Sequence, residues 1–230
     1  MSMRVLQGDP DIALTLRRSA RARRMTLRIS RIDGRVTLTL PTRASEREAL
    51  AFARQKQDWI RAHLADWNGN VPVGPGVALP VEGEMCQITP GAGRSVQMSP
   101  GLLAVPGAED RVPARVLGFL KTRARDRLAA ASDHYAARLG RSYSGISLRD
   151  TRSRWGSCSS AGRLMFSWRL IMAPPPVLDY VAAHEVAHLA QMNHSPAFWA
   201  EVARIHGPYD APRAWLRNEG NDLHRYRFGD

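Results

Sequence analysis

The chain of 230 residues is poor in cysteine, in lysine and in long apolar runs, and each shortage excludes something. Cys86 and Cys158 are its only cysteines, too few for the disulfide framework of a small secreted domain. A reduced, cytoplasmic protein is expected. The longest apolar stretches, such as residues 170–178, are far too short for a bilayer span and are broken by prolines, so no membrane segment is expected. The opening MSMRVLQGDPDIALTL has no basic region followed by an apolar stretch and a small-residue cleavage site, so no secretory leader is expected either. No internal repeat is visible. Disorder is excluded in turn, because 44% hydrophobic and 23% charged residues are ordinary for a folded domain.

What is abundant is arginine. Thirty-three Lys and Arg stand against 21 Asp and Glu, a formal charge of +12 that is nearly all guanidinium. Guanidinium stays protonated and forks onto carboxylates and phosphates, so the field favours anionic partners. The plainer reading is a surface kept soluble by charge.

Along the chain, Ile12, Leu14 and Leu16 alternate, and residues 26–29 and 36–40 flank Asp33-Gly34, which predicts paired strands and a tight hairpin. Ser45 with Glu48 forms a capping-box pattern, which predicts a helix running to about Trp67. Residues 68–107 are rich in Gly and Pro, with short strand-like runs at 86–89 and 95–98. A long helix is predicted over 113–139, closed by Gly140. Strands at 146–149, 153–158 and 164–168 follow, then a helix over 177–192 introduced by Pro174–Pro176, and short helices at 196–205 and 211–218. The expected organisation is a β-rich, Arg-rich subdomain over 1–108 and a catalytic domain over 109–230.

The helix after the prolines carries His184-Glu185-Val186-Ala187-His188. Histidines four apart share one helical face, so both imidazoles reach a single metal ion. Glu185 beside the first ligand can take a proton from water without filling the metal's open position. An open zinc site needs a third protein ligand, and His194 follows six residues after His188. A straight helix would carry His194 to the wrong face, so Met192-Asn193-His194-Ser195-Pro196 must turn the chain. Asn193 suits a left-handed helix end, and Ser195-Pro196 reads as a cap and first helical residue. Glu201 ranks second as third ligand, and His206 last. Gln191 stands where a metzincin has glycine, and no methionine follows Met192, so that class is excluded.

Arg154-Trp155-Gly156-Ser157-Cys158-Ser159 and Phe166-Ser167-Trp168-Arg169-Leu170 resemble the YgjP-like metallopeptidase family. So do Asp179-Tyr180-Val181 leading into His184-Glu185, and Asn193-His194-Ser195-Pro196-Ala197-Phe198-Trp199. The likeness runs from the Arg17–Arg28 segment to about Leu223 and is densest over 148–199. That family is similar to the SprT-like zinc peptidases. The resemblance implies an α+β, zincin-like (minigluzincin) core, with the HExxH helix packed on a short antiparallel sheet and His194 completing the metal site. Gluzincins use a glutamate as third ligand, and a histidine stands in its place here.

Around the motif, Trp155, Trp168, Phe198 and Trp199 read first as core. The strand near 152–158 is a candidate to pair with an extended substrate. Cys158 reads as a small buried hydrophobe; Tyr180 reads either as core or as a donor at the site, and Tyr209 is a weak candidate oxyanion donor. The favoured function is therefore a Zn2+-dependent peptidase with metal on His184, His188 and His194 and Glu185 as general base. The alternative is a metal-dependent hydrolase of nucleoside triphosphates or other phosphoanhydrides, although such enzymes more often hold Mg2+ on carboxylates. A third reading is a nucleic-acid-associated protease, because Arg17, Arg18, Arg21, Arg23, Arg24, Arg28, Arg31 and Arg35 crowd the predicted hairpin. No aromatic residues interleave there to stack bases.

Overall fold

The computed structural model describes residues 2–30, 33–65 and 69–229, which form two compact units, 1–70 and 71–230. In the first unit the strands are β1 (Ser2–Leu6), β2 (Ile12–Ser19), β3 (Thr26–Ile29) and β4 (Val36–Pro41), in sheet order β1-β2-β4-β3. β2 and β4 run parallel, and the outer pairs are antiparallel. Strict alternation puts Ile12, Leu14, Leu16, Val36, Leu38 and Leu40 on one face, all at 5% exposure or less. Helices α1 (Glu46–Gln55) and α2 (Gln57–Ala65) bury Ala49, Ala53 and Ile60 in the same core.

The capping box forms as expected: the Ser45 hydroxyl accepts from Glu48 N, and Glu48 Oε2 accepts from Ser45 N at 2.9 Å. The single helix expected behind it is instead two, separated at Lys56, and its expected end at Trp67 lies outside the described residues. The hairpin is also wider than a two-residue turn. The last paired residues of β3 and β4 are Ile29 and Val36, and Gly34 takes a positive φ of 65° within the connection.

The second unit begins with β5 (Val71–Pro72) and a four-stranded sheet of β6 (Ala78–Val81), β7 (Glu84–Gly91), β8 (Gln97–Ser99) and β9 (Leu102–Pro106), in order β6-β7-β9-β8. The β6–β7 turn puts both Glu82 (φ 51°) and Gly83 (φ 83°) at positive φ, the conformation of a tight hairpin turn. Helix α3 (Val112–Leu139) then presents Val116, Leu120, Ala124 and Leu128 at four-residue spacing, all fully buried. It ends where Gly140 adopts φ 72°. Leu79, Val81, Ile88, Leu103 and Val105 of the sheet share one core with this helix, and the Glu82 carboxylate accepts from Arg123 Nε at 3.0 Å. The chain therefore divides at residue 70, and not at the expected 108/109. The strands of residues 71–106 bury their apolar face in the second core.

Beyond α3, β10 (Gly145–Arg149), β11 (Gly156–Cys158) and β12 (Arg163–Ser167) form a sheet in order β10-β12-β11. It is mixed, not antiparallel as expected: β10 runs parallel to β12, and β11 antiparallel. A 3-10 turn (Trp168–Met172) leads into α4 (Pro175–Ala187), followed by α5 (Pro196–His206), α6 (Asp210–Asn218), a 3-10 turn (Gly220–Arg225) and β13 (Tyr226–Arg227), which pairs with β5. The fold class is α+β, with several small sheets. No helix of the described residues is long and apolar enough to cross a membrane.

Candidate metal centre

Helix α4 is buried nearly all round, so it has no polar face to give to water. Val177, Leu178, Val181, Ala182, Ala183, Val186 and Ala187 are each at 4% exposure or less. Against this apolar background the polar groups His184, Glu185 and His188 stand out, because buried polar side chains are retained only with partners or a task. The helix ends at Ala187, well before the expected Met192, with His188 as its C-cap. Leu189 N bonds Val186 O, Ala190 N and Gln191 N bond Ala187 O, and His188 Nδ1 lies 2.9 Å from Gln191 O. These bonds tighten the corner and hold the His188 ring.

The corner itself differs from its sequence expectation. Asn193 is not left-handed; its side chain instead accepts from Ser195 N at 3.2 Å. Ser195 then caps α5, accepting from Phe198 N, with Pro196 in the first turn as expected. The result brings His194 back to the helix. His184, His188 and His194 each offer a ligand atom within 4.8 Å of the others, and the Nε2 atoms of His184 and His194 are 3.1 Å apart. Glu201 and His206 stand outside this cluster: Glu201 pairs with Arg204, and His206 packs against Tyr135 and Tyr180.

The donor chemistry fits a metal ion. Burial, reinforced by the charges of His188 and His194, pulls the His184 pKa down to about 3, so its imidazole is neutral and keeps a lone pair. Burial likewise lowers His188, against the opposing bond to Gln191. The Nε2 atoms of His184 and His194, 3.1 Å apart, stand close enough to be shared by one cation.

Phe198 lines the cluster from α5. Its ring stacks on His188 at 4.4 Å and sits edge-on to His184 and His194. Trp199 lies 5.6 Å from His184 and 5.8 Å from His194. Both aromatics therefore pack on the site, while Trp168 is buried core and Trp155 stacks on His224 at 5.3 Å. Tyr180 is buried with its ring edge toward His184, and burial raises its pKa to about 12. Tyr209 stacks between Tyr180 and Trp199. Burial and the Glu185 charge push the Cys158 thiol up, away from the thiolate a metal would need.

Glu185 is 5% exposed, and burial pushes its carboxyl up to about 8 against the opposing charge of Arg154. Strand β11 comes close enough to explain Gly156: a Cβ there would lie 2.5 Å from Glu185 Cγ and Oε1. β11 is an edge strand of its sheet, so its outer backbone is free of strand partners among the described residues. Sequence spacing singles out His184, Glu185, His188 and His194, and the structure brings the three histidines together. The spacing gave Gly156 no role, because that role exists only through space.

The profile of a family described as "YgjP-like, metallopeptidase domain" matches residues 23–219. No curated protein sequence matches. Among solved structures, the crystal structure of the metallopeptidase zymogen of Pyrococcus abyssi abylysin is similar at 20% identity, over 40% of this chain and 95% of that one, with a TM-score of 0.36.

Proposed function

Because the chain belongs to the YgjP-like metallopeptidase family, and so to the peptidase-like hydrolases, we propose that it is a zinc-dependent peptidase with a zincin-like second unit. The observation that carries the zinc assignment is the convergence of three imidazoles, with a buried carboxyl group on the next residue of the same helix. Imidazole donors without carboxylate partners suit zinc better than magnesium or calcium, which prefer oxygen. The same donor set speaks against the phosphoanhydride alternative.

In this reading His184, His188 and His194 would hold the ion, which would supply Lewis acidity and lower the pKa of a bound water. Glu185 handles the proton. Its carboxylate takes one from the attacking water and returns it to the leaving amine nitrogen. Phe198 and Gln191 fix the orientation of His188, and Gly156 leaves the space Glu185 occupies. The free edge of β11 offers main-chain donors and acceptors to an extended peptide, which would lie as an added strand beside Glu185. Free Cys86 and Cys158 support a reducing, cytoplasmic setting.

Metal-loaded protein should cleave unstructured proteins and leave nucleoside triphosphates intact. Glu185→Gln should keep the fold and the metal yet lose cleavage by about 100-fold or more, since glutamine cannot accept the proton. Hydrolysis of triphosphates in place of peptides, or full activity in the variant, would overturn the assignment.

A second reading, association with nucleic acid, is favoured by one feature of the first unit. Thr15, Thr37 and Arg28 lie side by side across β2, β4 and β3, as do Arg17, Thr39 and Thr26. These are the positions opposite the buried face, and they join hydroxyls to guanidiniums; the hollow they line also holds Asp33, which pairs with Arg35.

A further inference from the structure

We propose that the peptidase site selects acidic substrates, with Arg154 and Arg213 as anchors for carboxylates flanking the scissile bond. The inference rests on the peptidase reading above and adds its substrate class.

Several arginines of the second unit are already committed. Arg123 and Arg127 pair with Glu82, Arg169 with Asp150 and Arg204 with Glu201. Arg154 and Arg213 are different. Both are exposed, and neither guanidinium has an ion pair or hydrogen bond among the described residues. They come from separate elements, the approach to β11 and helix α6, yet both attend the same site.

Arg213 is held without being neutralised. Its guanidinium carbon lies 4.6 Å over the Trp199 ring, and that ring packs against His184 and His194. Stacking occupies the face of the guanidinium and leaves its N–H edge free to fork onto a carboxylate. The nearest acid on its own helix, Asp210, forms no salt bridge with it. Arg154 stands two residues before Gly156, where β11 touches Glu185. Thr151 Oγ1 donates to Arg154 O at 2.8 Å and fixes the chain there.

A peptide added to β11 would lie beside Arg154, and Arg213 would meet it over Trp199, the ring that packs on His184 and His194. Carboxylates at those positions would gain charge-assisted hydrogen bonds in a partly desolvated setting; neutral side chains gain nothing, and basic ones are repelled. Because both arginines are exposed, salt should weaken the preference.

The test is cleavage of a peptide library, randomised on both sides of the scissile bond, by full-length zinc-loaded protein, with products read by mass spectrometry. Asp and Glu should be enriched near the cleaved bond. Matched peptides should show kcat/KM about tenfold higher for Glu than for Gln at the favoured position, shrinking with added salt. Arg213→Glu should invert the preference at its position toward Lys, a swap that a merely structural role would not produce. Arg213→Gln should collapse the acidic-to-neutral ratio toward one, with zinc content and circular dichroism reporting the fold. Cleavage with no preference for acid, or a preference unchanged in Arg154→Gln and Arg213→Gln, overturns the inference and leaves the peptidase reading intact. No cleavage of any peptide by zinc-loaded protein overturns both.

Discussion

At the residue scale, His194 and Gly156 make the sharpest demands. Removing His194 deletes the one imidazole that comes from the corner, so His194→Ala should lose most of its bound zinc by elemental analysis. Glu201→Ala should keep it, because that carboxylate is paired with Arg204. The opposite result would move the third-ligand role to Glu201. Gly156→Ala puts a methyl carbon 2.5 Å from Glu185 Cγ and Oε1, so the carboxylate must shift. We expect about 1–3 kcal/mol of destabilisation from overpacking, and a loss of activity larger than that figure alone explains. Zinc content should not change. An alanine variant with normal turnover would show that Glu185 need not sit where it does.

At the scale of elements, some of the fold could be read directly and some could not. Helix α3 was legible because its apolar spacing, its proline near the start and its closing Gly140 all agree. The histidine pair was legible for the same reason, since four-residue spacing is a property of one helix. The end of α4 was not, because it depends on the bond from His188 to Gln191 and on backbone tightening after Ala187. Strand β1 was missed, as only Leu6 of its five residues is buried. The parallel pairing of β10 with β12 was missed because it joins segments that no local pattern connects.

The eight arginines grouped by sequence also separate by element. Arg18 is spent on the carbonyls of Thr42 and Ala44, Arg35 pairs with Asp33, and Arg31 lies outside the described residues. Arg17 and Arg28 remain on the open sheet face, and Arg21, Arg23 and Arg24 on the β2–β3 connection. If that face meets a phosphate backbone, affinity for duplex DNA or RNA should fall steeply with salt. Arg17→Gln with Arg28→Gln should flatten the slope of log K against log salt by roughly two, with zinc content unchanged. Absence of binding at low salt would reduce the face to a solvated one.

At the scale of the whole molecule, charge and closure are distributed unevenly. The first unit carries 14 Lys and Arg against 7 Asp and Glu within 70 residues, so it holds +7 of the formal +12. The second unit is closed by its own C-terminal segment, and one buried arginine does much of that work. Arg169, with its side chain 6% exposed, donates to both oxygens of Asp150, at 2.7 and 3.0 Å. It also donates to the carbonyls of Leu223 and Tyr226, and stacks on Trp168 at 4.6 Å. Burial acts to raise the Asp150 pKa, but the hydrogen bonds and charge of Arg169 outweigh it, so it lies below its ordinary value. A carboxylate whose pKa is lower folded than unfolded stabilises the fold at pH above the unfolded value of about 4. That contribution is lost as pH falls from about 4 through the folded pKa. Asp150→Asn should therefore cost about 1–2 kcal/mol at pH 7, a figure discounted for the half-exposed carboxylate. Burial also holds His224 down, to about 4, and the Asp150 charge acts to raise it, so removing that charge alters its titration between about 6.5 and about 4 as well. Urea unfolding at pH 7 and at a series of values below about 4 stays outside that interval, and the gap between wild type and variant seen at pH 7 should narrow as pH falls below about 4. A gap that persists unchanged to pH 2 would mean that Asp150 acts through packing and not through its charge.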